Sequence, residues 1–83
     1  MAYTINWSPK SKEDVRSLDS EAARRIIRKV IELELAPYHF VEKLTDVKCW
    51  KLRVGDYRAL LDIDEQKKLI VVLKVGHRKN VYK

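Results

Sequence analysis

The stretch that most constrains the fold is Cys49-Trp50-Lys51-Leu52-Arg53-Val54-Gly55-Asp56-Tyr57-Arg58-Ala59-Leu60-Leu61-Asp62-Ile63. Two segments flank Gly55-Asp56, and apolar and polar side chains alternate along the first, the signature of a half-buried strand. A glycine in the first central position of a two-residue connection suits a type II′ turn, whose twist matches that of antiparallel strands. Such a turn leaves the register no freedom. Val54 then faces Tyr57, Arg53 faces Arg58, Leu52 faces Ala59, Lys51 faces Leu60 and Trp50 faces Leu61. Because side chains alternate between faces, Trp50, Leu52, Val54, Tyr57, Ala59 and Leu61 point one way. Lys51, Arg53 and Arg58 point the other.

The rest of the chain supplies a cover for the apolar side. Tyr3-Thr4-Ile5-Asn6-Trp7 alternates and reads as a strand. Ser8-Pro9 starts a short helix running to about Leu18, with Ser8 as N-cap and proline in the first turn. Asp19-Ser20 opens a second helix of about four turns, ended by Pro37. Its apolar residues, among them Ala22, Ile26, Ile27, Val30 and Ile31, recur at helical spacing and mark a face that packs on something flat. Residues 38–47 read as a connection. Asp64 to Lys68 is a polar turn, and the mostly apolar run Leu69 to Val75 reads as a central strand. The order β-α-α-β-β-β predicts an α+β fold. Two N-terminal helices pack on one face of a mainly antiparallel sheet, and the other face stays open to solvent or ligand. At 83 residues the chain is expected to be one domain, 1–83.

Charge is divided unevenly. Residues 1–47 hold eight Lys/Arg and eight Asp/Glu, whereas residues 48–83 hold ten and four, so the whole net charge of +6 lies in the second half. A basic half beside a neutral half fits a polyanionic partner, and equally an excess of lysine that serves solubility. The single cysteine, Cys49, fits a reducing compartment, and a cytoplasmic location is expected. The longest aliphatic run, Leu69 to Leu73, is far too short for a membrane span, and the N-terminus lacks the pattern of a signal peptide. No His/Cys/Asp cluster has metal-ligand spacing, so no cofactor is expected.

Arg53 opposite Arg58 is costly, because like charges directly across a ladder repel. An anion held between them would account for the pair, and Lys51 joins the same face. In the last strand Ile70, Val72, Lys74, Gly76 and Arg78 share one parity, and Leu69, Val71, Leu73, Val75 and His77 the other. If Lys74 lies on the open face, Arg78 does too. With His77 and Tyr82 nearby, these cations read as a site for one phosphodiester, with guanidinium forks for phosphoryl oxygens and a ring for a base. Arg53 does not lose its proton and is no base. Lys51 is a base only in its neutral form, which like-charged neighbours favour. His77 is the other candidate acid or base, against the commoner packing role of a lone histidine. Cys49 reads as a structural thiol, and Asp62 and Asp64 as partners for Lys67 and Lys68.

At these residues the chain resembles the RelE/ParE toxin superfamily, and within it the RelE-type mRNA endonucleases. The resemblance spans nearly the whole sequence. It rests on the element order, on Pro37 followed by Lys43-Leu44, on KLRVGDYR from Lys51 to Arg58, and on VGHRKNVY from Val75 to Tyr82. It implies a toxin of a type II toxin–antitoxin pair that cleaves mRNA in the ribosomal A site. The ribose 2′-oxygen would attack the adjacent phosphorus without a metal, expelling the 5′-oxygen to give a 2′,3′-cyclic phosphate and a free 5′-hydroxyl. By the same resemblance, Lys51 and Arg53 activate the 2′-hydroxyl and bind phosphate. Arg58 and Arg78 stabilise the phosphorane-like charge, and Tyr82 stacks on or orients the substrate. An acidic RelB-type antitoxin is the implied partner, with the ribosome, mRNA and, through the antitoxin, operator DNA. Gyrase-directed ParE-type relatives share the fold and parts of these motifs. A catalytically weak homologue working in an antitoxin–operator repressor complex is the third reading.

Overall fold

The computed structural model describes residues 2–45 and 48–77. The local signals build most of it. Strand β1, Thr4–Trp7, leads into helix α1, Pro9–Arg16. Ser8 caps α1 by accepting a hydrogen bond from the Ser11 amide at 3.0 Å. Helix α2, Ser20–Glu32, is capped in the same way by Asp19, whose Oδ1 accepts from the Ala22 amide at 2.8 Å. A single 3₁₀ turn, Pro37–His39, follows. The sheet is then completed by β2, Val41–Lys43; β3, Trp50–Val54; β4, Tyr57–Asp64; and β5, Leu69–His77.

The sheet has five strands in the order β1-β5-β4-β3-β2. Only β1 and β5 run parallel among neighbouring strands; the other pairs are antiparallel. The β3–β4 register is the expected one at all five positions, Trp50 opposite Leu61 through Val54 opposite Tyr57. Gly55 has φ +59° while Asp56 stays out of the positive region, as a type II′ turn requires. The core lies between α2 and the sheet. Ile26, Val30 and Leu33 meet Leu52, Val54, Ala59, Leu61, Ile70, Val72 and Val75, all nearly or fully buried.

Three features depart from the sequence reading. Helix α2, expected to run on until Pro37 ends it, stops at Glu32 with Leu33 as its C-cap. Residues 41–43, expected in a connection, form edge strand β2 against β3, with Glu42 opposite Lys51. Simple alternation also fails in β5. Leu60 pairs with Lys74 and Leu61 with Val72, so Leu73 is an extra residue in a β-bulge. The bulge puts Ile70 and Val72 in the core yet leaves Lys74 and Gly76 on the opposite face, so these four do not share a face as parity implied. It is tied down by α1 and its cap. Ser8 donates its hydroxyl to the Leu73 carbonyl at 3.0 Å, and the Val75 amide donates to Asp14 Oδ2 at 2.9 Å.

Candidate functional site

The face of the sheet turned away from the helices collects the expected cations from β3 and β4. Arg53 and Arg58 are directly paired across the ladder, and Gly76 faces Arg58 from β5. The row Arg53–Arg58–Gly76 therefore crosses three strands, and the glycine projects no side chain beside Arg58. One step along the strands, a second row runs Glu42–Lys51–Leu60–Lys74 across four. Arg53 is exposed, and Lys51, Arg58 and Lys74 are partly buried. Guanidinium pairs of this kind grip a phosphate through several hydrogen bonds at once, and a tetrahedral anion between them removes their mutual repulsion.

Lys51 has a neighbour that the sequence reading did not supply. Its Nζ lies 3.3 Å from Glu42 Oε2, with 18% of the lysine side chain exposed. The pair exists because β2 exists. A three-residue strand, Val41-Glu42-Lys43, offers too little alternation to be recognised from sequence. The Glu42 carboxylate thus stands beside Lys51 as an opposite charge, alongside the like charges of Arg53 and Arg58. Glu42 is therefore an additional candidate site residue, acceptor for Lys51 and itself largely exposed.

His77 pairs with Tyr57, on the helix side of β4, and its ring meets the Tyr57 ring edge-on at 5.7 Å between centroids. The bulge thus places His77 on the face opposite Lys51, Arg53 and Arg58. Arg78 and Tyr82 lie outside the described residues. Cys49 is buried, and burial, with Asp62 beside it, pushes its thiol pKa up. A raised thiol is a poor nucleophile. Asp64 is used locally, accepting from the amides of Gln66 and Lys67 at 3.1 Å each. Among the described residues no group of three or more His, Cys, Asp or Glu side chains is placed to hold a metal ion, and no helix is long and apolar enough to cross a membrane.

A second surface carries no cations of the expected site. Ile27, Ile31 and Leu35 follow each other at four-residue spacing, 39%, 53% and 84% exposed. Ile27 also lines an apolar groove of about 290 Å³ with Trp7 and Val15, rimmed by Lys12 and Arg16. The helical stripe read from the sequence is therefore divided: Ala22, Ile26, Val30 and Leu33 reach the core, and its other edge does not.

The sequence profile of the ParE toxin of the type II toxin–antitoxin system parDE matches residues 5–82. The chain belongs to this toxin family. Solved structures agree on the fold. The toxin–antitoxin complex RelBE2 from Mycobacterium tuberculosis superposes with a TM-score of 0.88 at 23% identity, covering 94% of this chain and 100% of that one. A free arginine double mutant of the E. coli toxin RelE superposes at 0.78 with 26% identity over 93% of this chain and 84% of that one. The YoeB/ParE toxin from Agrobacterium tumefaciens gives 0.76 at 14% identity, over 90% and 98%. No curated protein matches the chain. The RelE/ParE superfamily and the expected α+β architecture thus hold.

Proposed function

We propose that this toxin is a ribosome-dependent mRNA endonuclease that cleaves in the A site. The observation that carries the reading is the Arg53–Arg58 pair across the β3–β4 ladder, with Lys51 one row away and glycine in place of a side chain at Gly76. A ladder that juxtaposes two guanidinium groups spends stability on charge, which suits a site where negative charge develops. Arg53 and Arg58 would hold the phosphoryl oxygens as the 2′-oxygen attacks, with Arg78 adding a third guanidinium. Lys51, steered by Glu42, would contact the 2′-hydroxyl or the leaving oxygen, and Tyr82 would stack on a base. With His77 on the other face, Lys51 is the better-placed group for proton transfer. No metal enters this scheme, and a cytoplasmic site of action follows from the ribosomal target.

A second reading is binding and inhibition of DNA gyrase; that the matching family profile carries the ParE name supports it. A third keeps the fold for a repressor complex with an antitoxin and operator DNA. In every reading an acidic RelB-type antitoxin is the proposed partner. The exposed Ile27–Ile31–Leu35 stripe and its apolar groove support this, since mRNA cleavage gives them no role.

Incubation with programmed ribosomes, followed by primer-extension mapping of mRNA ends, tests the proposal. Cleavage in the A site that is lost in Arg58→Ala and in Arg78→Ala is the expected result. Absence of cleavage together with inhibition of gyrase supercoiling overturns it in favour of the second reading. Absence of both, with operator binding alongside the antitoxin, favours the third.

A further inference from the structure

A groove of about 220 Å³ runs between α2 and the β3–β4 turn, on the flank of the molecule away from the Ile27 groove. Arg25, Arg28 and Lys29 line it from the helix, at the three- and four-residue spacing that places side chains on one side. Arg53 lines it from the sheet. β2 pairs only as far as Leu52, so Arg53 stands beyond the covered part of the β3 edge and borders both this groove and the open face. Arg25 reaches over the turn, where a Cβ on Gly55 would lie 3.2 Å from its Nη2. Among the described residues Glu32 is the only acidic one lining it, and it is paired with Lys29 at 3.4 Å. At the far end, Lys29 Nζ sits 5.2 Å from the centre of the Phe40 ring, which is 44% exposed.

We infer that this strip is a track for single-stranded RNA, in which Arg25, Arg28, Lys29 and Arg53 contact successive phosphates and Phe40 offers a stacking platform for a base. It rests on the RNA-cleaving reading for its direction, since Arg53 would pass the strand onto the open face. The chemistry distinguishes RNA from an acidic peptide. Guanidinium forks match phosphates, and an accessible ring accepts any base, which together make a sequence-tolerant single-strand site. A peptide helix needs exposed apolar anchors, and Val54, the only aliphatic lining residue among the described residues, is buried. Those anchors lie on the Ile27–Ile31 side instead.

The test uses the intact protein and a fluorescent, unstructured RNA of about ten nucleotides, 2′-O-methylated so that it is not cut. Affinity is measured across about 50 to 200 mM salt, with thermal melts confirming that each variant folds. Arg28→Gln combined with Lys29→Gln is expected to lower the slope of log K against log salt by about 1.4, roughly 0.7 for each lost phosphate contact. Phe40→Leu is expected to weaken binding about fivefold or more with the slope unchanged, because stacking releases no counterions. That pair of results supports the track even if mRNA on programmed ribosomes is not cleaved, in which case only the nuclease reading fails. Wild-type slope in the double variant, or no RNA binding by the wild type, overturns the track, whatever the cleavage assay gives. So does a double variant that keeps RNA affinity but loses an acidic antitoxin peptide, which would assign the groove to protein.

Discussion

At the scale of single residues, the proposed function sets stability against chemistry most directly at Arg53. Its cross-strand partner is another arginine, and a threonine there would remove the repulsion while keeping strand propensity. Arg53→Thr is expected to stabilise the fold by about 0.2–1 kcal/mol in chemical denaturation. In the ribosome assay the same variant, like Arg58→Ala, should lose about 10²- to 10³-fold in rate, the usual cost of removing one donor to developing charge. A variant both less stable and fully active would show that the pair serves the sheet and not an anion. Gly55 poses a purely conformational demand. At φ +59° an alanine is strained, and its Cβ would also crowd a movable Arg25. Gly55→Ala should therefore cost about 1–2 kcal/mol of unfolding free energy. These residue-scale features were legible in the sequence, because a two-residue turn leaves one register and alternation then assigns every side chain to a face.

At the scale of elements, legibility ends where a strand is too short or where a strand receives help from outside its own segment. β2 is three residues long, so its alternation carried no signal, and the Glu42–Lys51 pair went unread with it. The β5 bulge is held in part by Asp14, a polar residue of the short helix α1 that nothing in its own segment marks out. Asp14 is 12% exposed, bonded to the Val75 amide and paired with Lys10 at 2.8 Å. Asp14→Ala leaves that amide without its acceptor, a loss of about 1–3 kcal/mol. If the bulge sets which face Lys74 and Gly76 occupy, the variant should also lose nuclease activity at temperatures where it remains folded. The β4–β5 turn gives a pH-dependent prediction. Glu65 accepts hydrogen bonds from the hydroxyls of Tyr3 and Tyr38 and is paired with Lys68 at 3.3 Å, so three segments meet on one carboxylate. These contacts, the Tyr3 bond first, hold its pKa at about 2. The Tyr38 hydroxyl is correspondingly pushed up, by partial burial and then by Glu65. A carboxylate whose pKa is depressed on folding stabilises the fold above its unfolded value, about 4.3, and that contribution fades as pH falls toward the folded value. Glu65→Gln should melt below the wild type at pH 7, and the gap should close between about pH 5 and pH 2. A gap that stays constant across that window would mean that the carboxylate charge is irrelevant to the contacts.

At the scale of the whole molecule, the sheet and α2 separate two kinds of surface. The open face and the Arg25–Arg53 flank are cationic, whereas the other side of α2 is apolar with a cationic rim. The sequence showed the charge imbalance between halves but not this division, since Arg25 and Arg28 belong to the half whose charges cancel. Three-dimensional proximity to Arg53 makes them part of a basic surface. The apolar stripe likewise looked like core, because helical periodicity shows which residues share a side, not how wide the covered part is. Ile26 and Ile27 are adjacent in sequence, yet one is 1% exposed and the other 39%. If the stripe seats an antitoxin while the sheet carries the chemistry, binding and toxicity should come apart by mutation. Ile31 is 53% exposed, so Ile31→Glu removes little buried area and should leave the melting temperature within a few degrees. Placed before an acidic partner, the new carboxylate both repels and must be desolvated, which should weaken antitoxin binding by at least about tenfold. Cleavage by the free toxin should be unchanged, and growth arrest should no longer be relieved by the antitoxin at normal expression. If Ile31→Glu binds the antitoxin as the wild type does, while Arg53→Glu does not, the partner covers the open face directly. Inhibition would then be steric occlusion of the proposed site.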